Sequence, residues 1–409
     1  MANADINPPT APKPALSMRS QAIVFALVRT VLTTSIRMVY PFLSVFARGM
    51  GVSLTEFSLA LTARSIVGAF TPLLSPIADR YGRKTGILLG IGMFVAGSLV
   101  IIWLPSFAMA IFSLSISFMG VMLVIISMQA YLGDEVPYEK RGVLVAITEM
   151  GWSLGFIVGV PLVGILIASY GWRSPFPALA GLGVLSFVII SRMIPTTPRP
   201  EAEPGNHWKS LQRVFTSAPA LAALAVGFCF SVSNEVVALV FGVWLEDSFG
   251  LSILALGAAS AVIGFSELAG CGLTAWLVDR LGKERSIRIG LITNSIFALL
   301  LPWLGGNQST ALAGLFFFYL TFEFTIVSSL PLLTEVLPSH RGTLMGVNIA
   351  VYSLGRALGA FLAPQFYLIG FFTNTIAAAV FNLFAILALS RVRLDTADEK
   401  QPMLYSQIN

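Results

Sequence analysis

Six ionisable side chains stand deep inside long apolar stretches of the chain: Arg37, Arg64, Glu235, Glu267, Glu323 and Arg356. An isolated charge at a bilayer centre costs a few kcal/mol or more, so such groups must face a cavity or one another. A carboxyl taken out of water holds its proton more readily, which suits Glu323 or Glu235 to proton uptake and release, with Glu267 and Glu149 as further candidates. A guanidinium offers a fixed fork for a carboxylate or phosphate, so Arg37, Arg64 or Arg356 can hold an anion. The plainer alternative is a set of buried Arg–Glu pairs that fix helix packing. Arg29 and Glu149 lie nearer the ends of their runs, and Tyr40, Gln129, Asn234, Tyr319, Asn348 and Tyr352 add polar contacts. Phe316, Phe317, Phe318 and Phe322 read as helix packing before they read as an aromatic cage.

The stretches that position these groups dominate the sequence. Of 409 residues 56% are hydrophobic and 11% charged, with a mean hydropathy of +0.83. A soluble chain is about a quarter charged, so this one could not cover itself in water. About twenty apolar residues cross a bilayer. Twelve runs qualify, numbered here as spans 1 to 12: 20–46, 54–78, 85–104, 107–132, 142–169, 174–192, 218–246, 252–278, 286–304, 310–333, 342–369 and 371–390. The expected fold is an all-α integral membrane protein of twelve transmembrane helices. Residues 1–19 and 391–409 read as tails, the first disordered. The stretch 193–217, with Pro195, Pro198, Pro200 and Pro204, reads as a solvated linker between bundles at 20–192 and 218–390. Within that linker, residues 207–215 pattern as a short amphipathic helix on the membrane surface.

Lys and Arg set the orientation. Arg80, Arg83, Lys84, Lys140, Arg141, Lys209, Arg213, Arg280, Lys283, Arg285, Arg341, Arg391 and Arg393 all fall on one side, whereas the other offers little beyond Arg48 and Arg173. The positive-inside rule then places both termini and the linker in the cytoplasm, which an even number of spans requires. His207 and His340 are the only histidines, Cys229 and Cys271 the only cysteines, and no HExxH or Walker A pattern occurs. No metal, cofactor, disulfide framework or ATP hydrolysis is expected, and loop-clustered basic residues point to topology rather than nucleic acid.

The two halves match without gaps at an offset of 200. Asp79-Arg80-Tyr81-Gly82 recurs as Asp279-Arg280-Leu281-Gly282, and ten of 28 positions in 132–159 are identical in 332–359. Duplication of a six-span unit explains this better than shared composition. The residues from Ser75 through Asp79, Arg80, Gly82, Arg83 and Lys84 resemble the signature of the major facilitator family, G-x-x-x-D-R-x-G-R-[RK], with Ser75 in place of the first Gly. With the repeat and the span count, the resemblance covers nearly the whole chain.

The resemblance implies a latch. Asp79 would accept from N–H groups at the start of span 11, near Arg341 and Gly342. Arg80 or Arg83 would bridge to Asp134, with Arg141 competing nearby. By the repeat, Asp279 would face the start of span 5 and Arg280 would reach Glu335. In the resembling fold, spans 1, 4, 7 and 10 line a central cavity, which singles out Arg37, Glu235 and Glu323. Their repeat partners Val237, Ser35 and Leu123 are uncharged. Glu323 is slightly preferred as the proton carrier, because span 10 holds no second charge at that depth.

Span 5 carries Gly151, Gly155, Gly159, Pro161 and Gly164, which resembles the antiporter signature of drug-exporting members. The alternative is small-residue packing of span 5 against span 8. The span 4 signature R-x-x-Q-G is absent: Ile116 and Met119 stand before Gly120. The resemblance therefore implies a secondary transporter, coupled to protons, for a small anionic, zwitterionic or amphipathic organic solute. Export is slightly favoured over uptake; a lipid or lysolipid flippase on the same fold is the alternative. A membrane-embedded enzyme lacks any nucleophile–base set. Short loops and the absence of targeting signals favour a bacterial inner membrane, although residues 307–309 form an N-x-S sequon; a monomer is expected.

Overall fold

Serine and asparagine residues at the run boundaries start the helices. Ser53, Ser106, Ser217 and Ser252 and Asn307 each accept a hydrogen bond from the backbone N–H three residues on. Each satisfies one of the donors that a helix start leaves unpaired. The structure, a computed structural model, describes residues 17–74, 80–195 and 207–392. The expectations for 1–16, for Ser75 to Asp79, for residues 196–206 of the linker and for 393–409 lie outside these residues.

The helices are α1 (Met18–Arg37), α2 (Leu43–Met50), α3 (Leu54–Gly68), α4 (Arg83–Trp103), α5 (Phe107–Glu135), α6 (Tyr138–Leu154), α7 (Val160–Tyr170) and α8 (Pro175–Met193). They continue as α9 (His207–Thr216), α10 (Ala218–Ala238), α11 (Phe241–Phe249), α12 (Ile253–Leu281), α13 (Lys283–Leu304), α14 (Gln308–Val336), α15 (Arg341–Ile369) and α16 (Phe371–Leu389). Among the described residues, ten helices are long and apolar enough to cross a bilayer. They correspond to expected spans 3 to 12. Span 1 is not among them, because the chain leaves its helix at Met38–Phe42, around Pro41, and because α1 carries Gln21, Arg29 and Arg37. The helix of span 2 ends at Gly68, short of the expected 78.

By contacts the chain divides into two compact units: residues 1–38 with 73–203, and residues 39–72 with 204–409. In the first, α4 packs on α5 and on α8, and α1 packs on α6 and on the π-helical turn Gly155–Gly159. In the second, α13 packs on α14 and on α16, and α10 packs on α15. These are the same three pairings displaced by six spans, so the repeat at offset 200 is realised as repeated packing. Additional pairs in the second unit are α3 with α15 and α12 with α14.

Small residues permit the close approaches, as lipid-embedded helices require. Gly151, Gly155 and Gly159 face α1: a Cβ on Gly151 would meet the carbonyl of Ala26, on Gly155 the side chains of Thr33 and Arg37, and on Gly159 that of Thr34. The glycines expected against span 8 are thus used against span 1, and Thr33 donates to the Gly151 carbonyl at 3.1 Å. In the second unit, Gly355 and Gly359 face Ser231 and Glu235 of α10, and Ser231 donates to the Tyr352 carbonyl at 2.7 Å. Gly82 and Gly282, the recurring glycines of the turn, have φ of 90° and 83°. No other residue adopts that conformation cheaply, which explains their recurrence at the starts of α4 and α13.

Candidate functional site

The break after α1 delivers Tyr40 into the second unit, where three helices converge on its hydroxyl. Tyr40 donates to Glu235 of α10, 3.0 Å to Oε1. It accepts from Arg64 Nη2 of α3 at 3.2 Å and from Arg356 Nη2 of α15. Arg356 Nε also pairs with Glu235 Oε2 at 3.2 Å. Both guanidiniums lie 5.8 Å from the centre of the Tyr40 ring, within cation–π range. Glu235 is fully buried, Arg64 is 2% exposed and Tyr40 4%. The cluster thus brings two guanidiniums and the Glu235 carboxylate onto one phenol. Such a set can accept one anionic group, or exchange a proton at the carboxyl when a competing anion takes the guanidinium.

Local sequence explains the convergence. Asn348, Tyr352 and Arg356 are spaced four apart and share one face of α15. Gly359, one turn beyond Arg356 toward that face, lets the Glu235 side chain lie directly against the helix backbone; a Cβ there would sit 2.6 Å from Glu235 Cβ. Tyr352 lies within electrostatic reach of Arg356, Glu323, Glu235 and Tyr40. The amide oxygens of Asn234 and Asn348 are buried and accept no hydrogen bond from the described residues. Asn348 faces Gly227 of α10.

Glu323 lies at the edge of this cluster, within electrostatic reach of Tyr352, and the remaining expected site residues have other partners. Glu323 sits against Gly270 of α12, and the Cys271 thiol donates to its Oε1 at 3.3 Å. Glu267 is buried on α12, and Tyr319 packs edge-on against Phe241 and Phe318. In the first unit Arg29 grips Glu149 with two hydrogen bonds of 2.6 Å, and Gln129 adds a third at 3.1 Å. The Arg37 guanidinium lies between the rings of Trp152 and Phe156, 4.4 and 4.2 Å from their centres.

Of the expected latch, Asp79 lies outside the described residues. Arg83 pairs with Asp134 at 2.9 Å, whereas the Arg80 guanidinium lies 5.7 Å from the Tyr81 ring. Arg141 donates to the carbonyls of Gly133 and Val136. The pairing expected between Arg280 and Glu335 is replaced: Lys283 reaches Glu335, and Arg280 lies over the exposed Trp276 ring. The physical reason is the helix start at residue 283. It aims the side chain at position 283, like Arg83 in the first unit, toward the neighbouring helix end, while Arg280 belongs to the last turn of α12. Asp279 is exposed, and Arg341 donates to the Pro338 carbonyl. Packing of α3 on α15 brings Pro72 against Gly346, little more than one turn from Arg341 and Gly342.

Sequence reasoning missed a cluster where α2 meets α11. Ser44 donates to Glu246, and Arg48 pairs with Glu246 at 2.8 Å. Nearby, Tyr367 donates to Asp247 at 2.7 Å. Opposite charges at the matching ends of spans 1 and 7 were the available signal.

The family model described as Major Facilitator Superfamily matches residues 25–360. The uncharacterized MFS-type transporter YceJ of Bacillus subtilis (strain 168) is 24% identical over 305 residues, 73% of this chain and 76% of that protein. Multidrug resistance protein 2 of the same strain is 24% identical, covering 84% and 88%. The cis,cis-muconate transport protein of Acinetobacter baylyi is 24% identical, covering 76% and 78%. Among solved structures, that of the nucleoside transporter NupG superposes with a TM-score of 0.76 at 12% identity, covering 92% of this chain and all of that one.

Proposed function

From the premise that the chain belongs to the Major Facilitator Superfamily, and is therefore a multi-pass membrane transporter, we propose that it moves a small organic anion or zwitterion by proton-coupled alternating access. The observation that carries this reading is the convergence of Arg64, Arg356 and Glu235 on one phenol. An anionic group of the solute competes with Glu235 for Arg356; the displaced carboxyl then takes up a proton, so that solute and proton occupancy are linked. This shifts the preferred coupling residue from Glu323 to Glu235, whose carboxylate shares the Arg356 guanidinium with the solute and so senses its arrival. Glu323 and Glu149 remain in reserve, the first beside a thiol and the second gripped by Arg29.

Export is the working direction, in keeping with the multidrug resistance relative. The span 5 glycines no longer add to it, since packing on α1 accounts for them. Uptake by symport is the second reading, favoured by the muconate transport relative and the two guanidiniums of the cluster. Both termini are proposed to be cytoplasmic, in a bacterial inner membrane, with the protein a monomer of two six-span bundles, 20–192 and 218–390.

A thermal-shift screen of a solute library in detergent tests the substrate class, since a ligand that binds the folded protein raises its apparent stability. Organic anions should stabilise the wild type and lose that effect in Arg356→Gln. In proteoliposomes loaded with the solute so found, Glu235→Gln should abolish transport driven by a pH gradient and keep solute exchange. Retention of full proton-driven transport by Glu235→Gln removes Glu235 as the coupling site, and stabilisation by organic cations alone rejects the anion.

A further inference from the structure

The asparagines of the second unit fall into two kinds. A buried amide normally bonds a neighbour, since leaving it unpaired in an apolar interior costs free energy. Asn294 donates to the Phe318 carbonyl at 2.8 Å, Asn374 to the carbonyls of Val236 and Ala363, and Asn382 to Asn294, while Asn307 caps α14. Asn234 and Asn348 behave otherwise: their side chains hydrogen-bond none of the described residues, although both amide oxygens are buried. Both border the cluster around Tyr40. Asn234 precedes Glu235 on α10, and Asn348 stands about two turns before Arg356 on the same face of α15. Opposite Asn348, α10 carries Gly227, where even a Cβ would lie 2.8 Å from the amide oxygen. Between Asn348 and Arg356, Tyr352 packs its ring against the apolar core. Ser231 shows what a packing contact at this interface looks like, donating to the Tyr352 carbonyl at 2.7 Å. Asn348, one turn away, makes no such bond to a described residue.

This face of α15 has an ionic end, an aromatic middle and a neutral polar end. We propose that Asn348 is a second subsite of the transport site, taking a hydroxyl or carboxamide of the solute whose acid group Arg356 holds. The inference rests on the anion reading above and narrows it. The solute is then an elongated organic acid whose far end carries a neutral group that both donates and accepts, about 12 Å from the acid at 1.5 Å per helical residue. Such a group matches the amide in either orientation. A second carboxylate would lose its hydration to an uncharged amide, and a purely apolar tail would cover the amide without bonding it.

Binding to the full-length protein in detergent reads this through the concentration dependence of the thermal shift. The probes are octanoate and its ω-hydroxy derivative, whose extended chains approach the required length, and butanoate and its ω-hydroxy derivative, which fall short of it. The ω-hydroxyl should tighten binding of octanoate about tenfold and leave that of butanoate unchanged. Asn348→Leu should keep octanoate binding and erase the preference for the hydroxyl, whereas Arg356→Gln should lose both eight-carbon acids. Should Asn348→Leu fail to fold, Gly227→Ala gives the same test, since its methyl displaces the amide and leaves every polar group in place. Equal affinity of octanoate and its hydroxy derivative for the wild type, with both dependent on Arg356, overturns the subsite and leaves the anion reading standing. A preference that survives Asn348→Leu, or that is as large for butanoate, also overturns it. If no probe binds the wild type, the elongated acid is rejected, and the solute-library screen decides the anion reading by itself. Binding that ignores Arg356 removes the anion reading and the subsite with it.

Discussion

Arg356→Gln separates a site that carries charge from one that merely fills space. The 3.2 Å contact between Arg356 Nε and Glu235 Oε2 corresponds to about 5 kcal/mol of attraction at an effective dielectric of about 20. Part of this offsets desolvation, because the Glu235 side chain is fully buried whereas that of Arg356 is 21% exposed. Removing the guanidinium strands a buried carboxylate, which costs about 3–5 kcal/mol. The Tyr40 hydroxyl still donates to Glu235 and still accepts from Arg64, which moves the expectation to the lower end, about 3 kcal/mol. Adding Glu235→Gln removes the stranded charge and should return about 1–3 kcal/mol. The assay is the apparent midpoint of thermal unfolding in detergent, followed by intrinsic fluorescence for the wild type, both single variants and the double variant. A single variant as stable as wild type, or a double variant no better than Arg356→Gln, refutes the argument that Arg356 and Glu235 are a coupled buried pair.

Two further pairs of substitutions probe packing and the turn after span 8. Gly359→Val should destabilise by about 1–3 kcal/mol and lower the yield of folded protein, because a Cβ would sit 2.6 Å from that of Glu235; Gly272→Ala, with open space around it, should be neutral in the same thermal assay. Lys283→Gln and Arg280→Gln should differ: the first frees Glu335 and alters distances between spin labels at the ends of α13 and α14, whereas the second leaves them unchanged, and an equal response of both would reject the observed pairing.

Hydropathy and the repeat carried most of the fold. The run boundaries at Ser53, Ser106, Ser252 and Asn307 fall where the helices begin, since capping side chains and the end of an apolar run report the same event. The break in span 1 was written in Pro41, though a long apolar run conceals it. Less was legible in the site. A helix that is apolar on every side does not disclose which side faces a neighbour. The approach of Glu235 to Arg356 could be suspected from the charges, but Tyr40 as their common partner could not: it lies 195 residues from one and 316 from the other. The placement of Glu323 beside Cys271 and the aromatic slot around Arg37 were hidden for the same reason. Lys283 was overlooked for another reason: the signature draws attention to the residues before Gly282, while the contact is made by the first residue after it.

The two units use one scaffold for different chemistry, and the contrast indicates which charges the fold itself requires. Gly155 and Gly355 occupy equivalent places, as do Gly159 and Gly359, and each set seats a neighbouring helix. In the first unit the seated side chains are Thr33, Thr34 and Arg37, with the guanidinium laid on two aromatic rings. In the second they are Ser231 and Glu235, with the carboxylate drawn to Arg356. Threonine and serine at these contacts do the same work, donating to a carbonyl of the facing helix. Polar glue of that kind helps to hold the helices, because a hydroxyl that bonds across an interface leaves no buried charge to solvate. A glutamate and an arginine in its place add a desolvation cost that hydroxyls avoid. The first unit nevertheless joins the equivalent helices, α1 and α6, with the Arg29–Glu149 pair, so each unit carries one Arg–Glu pair across this interface, at a different position along it.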